Sequence, residues 1–194
     1  QLAKKLDHKI KLIAEGVQTD DGVICRVEPV LLPKTSPLAQ IDGPLNAVMV
    51  NTVHVGPLTF TGPGAGAGPT ASAVLGDIAA LVSGSSRPVF GVGADKLVNT
   101  FCDPDHLSKS ESRYLIRLEL ADKSGALASL TDALASSDVS VDVLLQDSAG
   151  DGDFAPIAIM THKCSIATIQ DAKRRIDCLR SVHDPARLIR IESE

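Results

Sequence analysis

Apolar and polar residues alternate most regularly at residues 113–120. Tyr114, Ile116, Leu118 and Leu120 interleave with Arg113, Arg117 and Glu119, the period of two expected of a half-buried strand. A turn follows at Asp122-Lys123-Ser124-Gly125, and Leu127, Leu130 and Leu134 then recur at helical spacing. Val139, Val141 and Val143 alternate with Ser140 and Asp142 as a second strand, and the run Asp147 to Asp153 reads as a hairpin turn. Pro156 to Met160 gives a third strand. Ile166, Ile169, Ala172, Ile176 and Leu179 line one face of a second helix, and Leu188 to Ile191 closes with a fourth strand. The order β-α-β-β-α-β is that of the ferredoxin-like split βαβ. Both helices would lie on one face of an antiparallel sheet, leaving a second face that needs cover, which a partner subunit would supply.

The first half is patterned differently. Ile10 to Ala14 and Val23 to Leu32 read as strands around a turn at Asp20-Asp21-Gly22. Pro33, Pro37 and Gly43-Pro44 punctuate the next stretch. Asn46 to Val53 is apolar on both faces at its centre, as in a covered strand, and Leu58 to Thr61 alternates up to a glycine run. Residues 69–83 form a helix, with Pro69 suited to its first turn. Residues 84–112 carry Gly, Ser and Pro without a sustained apolar period, so the domain break is placed there, between 1–83 and 113–194.

Composition narrows the function. Of 194 residues, 44% are hydrophobic and 22% charged, with a net charge of −5; a nucleic-acid footprint would need a basic face. Aromatics make up only 3% and Trp is absent, which disfavours base stacking. No apolar stretch approaches the roughly 20 residues of a membrane span. Cys25, Cys102, Cys164 and Cys178 form no C-x-x-C pair, so reduced thiols in a cytoplasmic protein are expected. No signal peptide is seen. The chain opens at Gln1 with the helix-like LAKKL, the expectation being a piece of a longer protein.

The sharpest local feature is GPGAGAGPTASAVLGD, residues 62–77, with Gly62, Gly64, Gly66 and Gly68 between a strand and a helix. Glycines there let bare backbone approach a ligand, and the helix after them offers free N–H groups to an anion. A tight turn that merely seats the Ala-rich helix explains the run equally well. A Rossmann fingerprint is not met, because no βαβ unit and no acid some 20 residues on follow it. A P-loop would end Gly-Lys-Ser/Thr, and this run ends Gly68-Pro69-Thr70. Other candidates read as structural. His162 and Cys164 lack further metal ligands, His54 and Ser72 lack a nucleophile elbow and an orienting acid, so that Ser72 is expected to pack inside the helix, and Lys4-Lys5, Arg174-Arg175 and Asp77 read as solvated surface.

Residues 42–78, with AKKLDHKIKLIAEG (3–16) and VEPVLLPKTSPLAQIDG (27–43), resemble the closing part of the catalytic domain of homoserine dehydrogenases. Residues 113–194 resemble an ACT domain, with DKSGALASLTDAL and SVDVLLQD as its first helix and second strand. Ser124-Gly125 stands where that family has Pro-Gly. MTHKCS (160–165) is similar to the monofunctional bacterial form of the enzyme rather than the fusion with aspartokinase. The fold class implied is α+β: a mixed or antiparallel sheet closing the catalytic domain (1–83), a linker (84–112) and a ferredoxin-like βαββαβ ACT domain (113–194).

The resemblance implies NAD(P)-dependent interconversion of L-aspartate 4-semialdehyde and L-homoserine, on the route to threonine and methionine. By the family pattern the Rossmann domain, the proton-transfer lysine, the homoserine-binding acids and the metal-binding loop lie upstream of Gln1. No catalytic residue and no metal ligand are therefore expected in this chain, which by itself would be inactive. Gly66, with Gly64 and Ala65, carries over as a contact near the nicotinamide end of the cofactor. The ACT resemblance places an amino-acid effector, threonine, at Asp122, Lys123, Ser124, Gly125, Ala126 and Leu127, with Gln146, at an interface between two copies; a helix-capping role for Asp122 is the plainer alternative. A homodimer is expected. The competing functions are a free-standing amino-acid-binding module and a small phosphate-ester enzyme, the latter lacking any acid, base or metal cluster.

Overall fold

A computed structural model describes residues 5–19, 22–84, 88, 91–97, 110–147 and 152–192. The chain divides into two compact units, residues 1–34 with 102–194, and residues 35–101.

In the first unit, strands β1 (His8–Thr19) and β2 (Gly22–Pro33) form a long antiparallel hairpin in register from His8 opposite Pro33 to Thr19 opposite Gly22. The Asp20-Asp21 part of its turn lies outside the described residues. Strand β5 (Glu111–Ala121) is the alternating segment of the sequence. Helix α2 (Ala126–Ala135), β6 (Val141–Gln146), β7 (Phe154–Thr161), the short β8 (Cys164–Ser165), α3 (Ile166–Asp177) and β9 (Arg187–Ile191) follow. The sheet order is β1-β2-β9-β5-β7-β6, with β8 pairing the start of β5. Neighbours run antiparallel except β2 and β9, which are parallel at Val30–Arg190 and Leu31–Ile191.

One face of β5 is buried along its length, and the other is buried at Leu115. Tyr114, Ile116, Leu118 and Leu120 meet Leu130 and Leu134 of α2 and Ile169, Ala172 and Ile176 of α3 in the main core. Ser165 caps α3 by accepting from Thr168 N at 3.1 Å, replacing one N–H partner the helix start lacks. On the other face, Leu115, Ala158, Met160, Ile191 and Leu31 form a second cluster, packed by Leu6, Val143, Leu145 and Ile189. The face expected to need cover is thus covered within this chain around Leu115 and Ile191, while Val143, Leu145 and Ile189 are half-buried and Arg117, Glu119 and Arg187 exposed. Leu115 is 2% and Ile191 1% exposed within this chain, because Leu6 and the hairpin's Leu31 cover them. The hairpin's union with β9 also draws the compact units differently from the division at residues 84–112.

The hairpin is fastened by charge as well as by backbone. Arg190, only 7% exposed at its side chain, donates to Glu28 Oε1 at 2.5 Å and to Glu15 Oε2 at 3.0 Å. Arg26 Nε donates to the same Glu15 oxygen at 2.6 Å. A buried guanidinium is tolerable only when paired this way.

The second unit holds a 3-10 turn at Pro37–Gln40, the hairpin of β3 (Leu45–Thr52) and β4 (Gly56–Pro63), helix α1 (Ala67–Val82) and a 3-10 turn at Ala94–Lys96. The expected covered strand is not covered here: Val48 is 62% and Val50 44% exposed, and α1 buries no residue. The two-sided apolar pattern of β3 is thus unmatched by cover among the described residues.

Tyr114 supplies a direct probe of the main core. Its hydroxyl is buried without a hydrogen-bond partner among the described residues, and burial pushes the phenol up to about 12 from its usual 10.0. The neutral form is the one the fold favours. Between pH 10 and 12 the unfolded chain releases this proton while the folded chain keeps it, so stability falls as pH rises through that window. Tyr114 is the only tyrosine and Trp is absent, so phenolate absorbance reports this site alone. Its midpoint is expected near 12 in the folded chain and near 10 in urea. Tyr114→Phe, which removes the unpaired hydroxyl, is expected to be neutral or to stabilise by up to about 1 kcal/mol in urea unfolding. A folded-state midpoint at the ordinary tyrosine value would show that the ring is not buried as described.

Candidate functional site

The glycine run lies at the end of β4, through a short turn, and into α1. At Gly64 a Cβ would fall 1.9 Å from Nδ2 of the exposed Asn46, so a side chain here requires that amide to move. Gly66 has φ +118° and N-caps α1 without a side-chain cap bond, a conformation that L side chains rarely adopt. Its carbonyl accepts from Thr70 N at 3.1 Å. The N–H groups of Ala67 and Gly68 precede the first intrahelical acceptor, and Pro69 has none to leave unpaired. Gly64, Ala65 and Gly66 are all exposed. Beside them Gly66, Ala67, Thr70, Ala71, Val74 and Leu75 form an open, largely apolar face of α1. Free backbone donors next to an apolar wall suit a ligand with a flat apolar part and a polar edge.

The β5–α2 turn is built from backbone hydrogen bonds. Ala121 N donates to Ser181 O at 2.7 Å, Asp122 N to Asp153 O at 2.9 Å, and Ala126 N to Lys123 O at 3.2 Å. Gly125, at φ +85°, is the N-cap of α2 and makes no side-chain cap bond. Asp122 therefore does not take the capping role weighed for it. Asp122, Lys123, Ser124, Gly125 and Leu127 are exposed, whereas Ala126 is 4% exposed and faces the core. The N–H groups of Leu127 and Ala128 stand free of intrahelical acceptors at the helix start. Gln146 is exposed at the end of β6, opposite Ile157 of β7. Since β7 lies between β5 and β6, register puts Gln146 toward the same end of the sheet as the turn, one strand removed.

The remaining sequence candidates stay apart. His162 is exposed and Cys164 half-buried, with burial pushing the Cys164 thiol up, which disfavours a thiolate ligand. Among the described residues, no cluster of His, Cys, Asp and Glu could hold a metal ion. His54, Ser72 and Asp77 are exposed; Ser72 is not packed inside the helix as expected. Lys5 pairs with Asp147 at 2.6 Å. Arg174 and Arg175 both hold Asp171, whose carboxyl the bonds from Arg175, Arg174 and Ser137 keep below its ordinary value. No described helix is long and apolar enough to cross a membrane. Sequence reasoning missed Arg26, whose Nη1 is buried without a partner among the described residues. No local pattern marks it, since its burial comes from neighbours far along the chain.

Known proteins match along most of this length. The family model for homoserine dehydrogenase matches residues 1–79. A homoserine dehydrogenase of Neisseria gonorrhoeae is 36% identical over 199 residues, taking in 98% of this chain and 45% of that protein. One from Lactococcus lactis is 32% identical across 91% of this chain and 42% of its own length. The crystal structure of a homoserine dehydrogenase from Thiobacillus denitrificans superposes with a TM-score of 0.83 at 31% identity, over 98% of this chain and 44% of that one. The chain thus spans under half the length of the relatives it matches, and across that span it is similar to homoserine dehydrogenases.

Proposed function

We propose that this chain forms part of an NAD(P)-dependent homoserine dehydrogenase that interconverts L-aspartate 4-semialdehyde and L-homoserine. Residues 1–83 close its catalytic domain, 84–112 link, and 113–194 form a ferredoxin-like ACT domain that senses an amino acid. The glycine turn carries the catalytic half of this reading. When bound, the nicotinamide supplies hydride exchange with the carbonyl carbon. This chain's share is to orient it: Gly64 lets the backbone pack against the Asn46 side chain, and Gly66 bends the backbone so that the free N–H groups of α1 stand beside its apolar face. The Rossmann domain and the proton-transfer lysine belong to parts of the enzyme outside these 194 residues. In the intact enzyme, Gly66→Ala is expected to raise KM for NAD(P) about tenfold, equivalent to about 1.4 kcal/mol. Gly76→Ala, whose added methyl meets open space within α1, should leave KM within about twofold. Equal KM values for both variants would remove the turn from the cofactor site.

The ACT reading is supported by the element order β5-α2-β6-β7-α3-β9, apart from the short β8, and by the strand order β9-β5-β7-β6. The free N–H groups after Gly125 suit a carboxylate, and Asp122 suits an ammonium group. Calorimetric titration with L-threonine, against methionine and serine, is expected to show selective binding that Asp122→Ala weakens about tenfold. Absence of heat with all three would make this half structural.

We further propose a homodimer. The second unit leaves Val48 62%, Phe60 62%, Leu75 64% and Leu81 72% exposed, the kind of apolar surface that marks an interface. Light scattering is expected to give twice the 20.3 kDa chain mass. A chain mass that stays monomeric up to crystallisation concentrations would count against it.

A further inference from the structure

A second charged hollow lies at the junction of β5 and β9. It measures about 100 Å³ and is lined by Arg117, Leu118, Glu119, Asp184, Pro185 and Arg187. Arg117 and Arg187 stand directly opposite one another in the antiparallel register. Like charges in that position repel and destabilise a sheet unless something neutral or negative lies between them. Glu119, two residues on, projects from the same face as Arg117, and Asp184 approaches from the loop that enters β9. Among the described residues, none of these four side chains forms an ion pair or hydrogen bond, although the nearby Arg113 finds Asp142 and Arg190 finds two glutamates. Two guanidiniums and two carboxylates thus border one small space without neutralising one another.

We infer that this hollow is a binding site for a small zwitterion, an α-amino acid of about five to seven non-hydrogen atoms. A water molecule occupies about 30 Å³, so the space takes about three waters or one such molecule. The arginines offer planar, charge-assisted donors to a carboxylate, and Glu119 and Asp184 accept from an ammonium group. A simple anion would satisfy the arginines but set its charge against both carboxylates. A simple cation would do the reverse. The site is distinct from the β5–α2 turn and uses none of its residues. It deepens the amino-acid-sensing reading of this half without needing the turn to be occupied.

The test is an NMR titration of the full chain with glycine and L-alanine, with acetate and ethylammonium as the corresponding half-molecules. The expected result is saturable shifts at the amides of residues 117–119 and 184–187 with the amino acids, and binding at least about tenfold weaker with either half-molecule. Arg117→Gln and Arg187→Gln, both at exposed positions, should each weaken amino-acid binding about tenfold. Asp122→Ala should leave it within about twofold. Acetate binding as tightly as glycine would overturn the proposal in favour of a plain anion site. So would unchanged affinity in both arginine variants, or no saturable shift with any probe. If Asp122→Ala abolishes binding and the arginine variants do not, the hollow is not a site, while the sensing role of the turn stands.

Discussion

Arg190 sets the terms for the first unit. A guanidinium cannot be deprotonated and is costly to bury alone, yet this one lies 7% exposed in β9. It is stable there because Glu28 and Glu15 reach it from the β1–β2 hairpin, more than 160 residues away along the chain. The same approach brings β2 into parallel register with β9 and places Val30, Leu31 and Leu32 at 1%, 0% and 0% exposure. Burying each of these side chains contributes about 1.5–3 kcal/mol. The ion pairs and the apolar burial therefore depend on one another: without the hairpin, Arg190 would be an unpaired buried charge and Ile191 an exposed edge.

That dependence explains which parts of the fold are legible in the sequence. Strand β5 is readable residue by residue, because Tyr114, Ile116, Leu118 and Leu120 all meet the helices that the same segment of sequence predicts. The faces of α2 and α3 are readable for the same reason. The joining of β2 to β9 is not, since nothing in VEPVLLP or RLIRI names its partner and parallel pairing leaves no turn signature. Likewise the pattern at Leu115, Ala158 and Met160 says that a second face is apolar but not what covers it. Leu6 and Leu31 do so from the other end of the chain. At the candidate sites, the glycines of residues 62–68 announce a close backbone approach. That a side chain at Gly64 would meet Asn46, across the β3–β4 hairpin, depends on the fold and not on the local sequence. Arg117 is visible in the sequence as the polar half of an alternation, while its neighbour Arg187 is fixed only by register.

The two glycine turns use one device in two settings. Gly66 and Gly125 each take a positive φ and start a helix without a side-chain cap, leaving first-turn N–H groups open to an acceptor. What differs is the helix behind them. Helix α2 buries Ala126, Leu130, Ala133 and Leu134, so its first turn is held rigidly against the sheet and can distinguish ligands by position. Helix α1 buries none of its residues among those described, and its donors sit beside apolar surface. That setting suits a ligand contributing cover as well as charge, as a nicotinamide ring would and a free amino acid would not.

Strand β9 is only five residues long, and its two ends are held by different chemistry. Arg187 opens it at the charged hollow and Arg190 ends the run of side chains on the hairpin's glutamates. A strand this short is fixed along its length by its pairing with β5 from Arg113 to Arg117, so it cannot yield at one end independently of the other. Arg187 and Arg190 therefore belong to one ladder, opposite Arg117 and Tyr114. The hairpin held by Arg190 lies within residues 1–79, the part that matches the family model. Packed backbone and paired charge run from this hollow to that segment. Coupling along that path requires that the ladder have two arrangements of comparable energy. The buried Nη1 of Arg26 in the same network has no hydrogen-bond partner among the described residues.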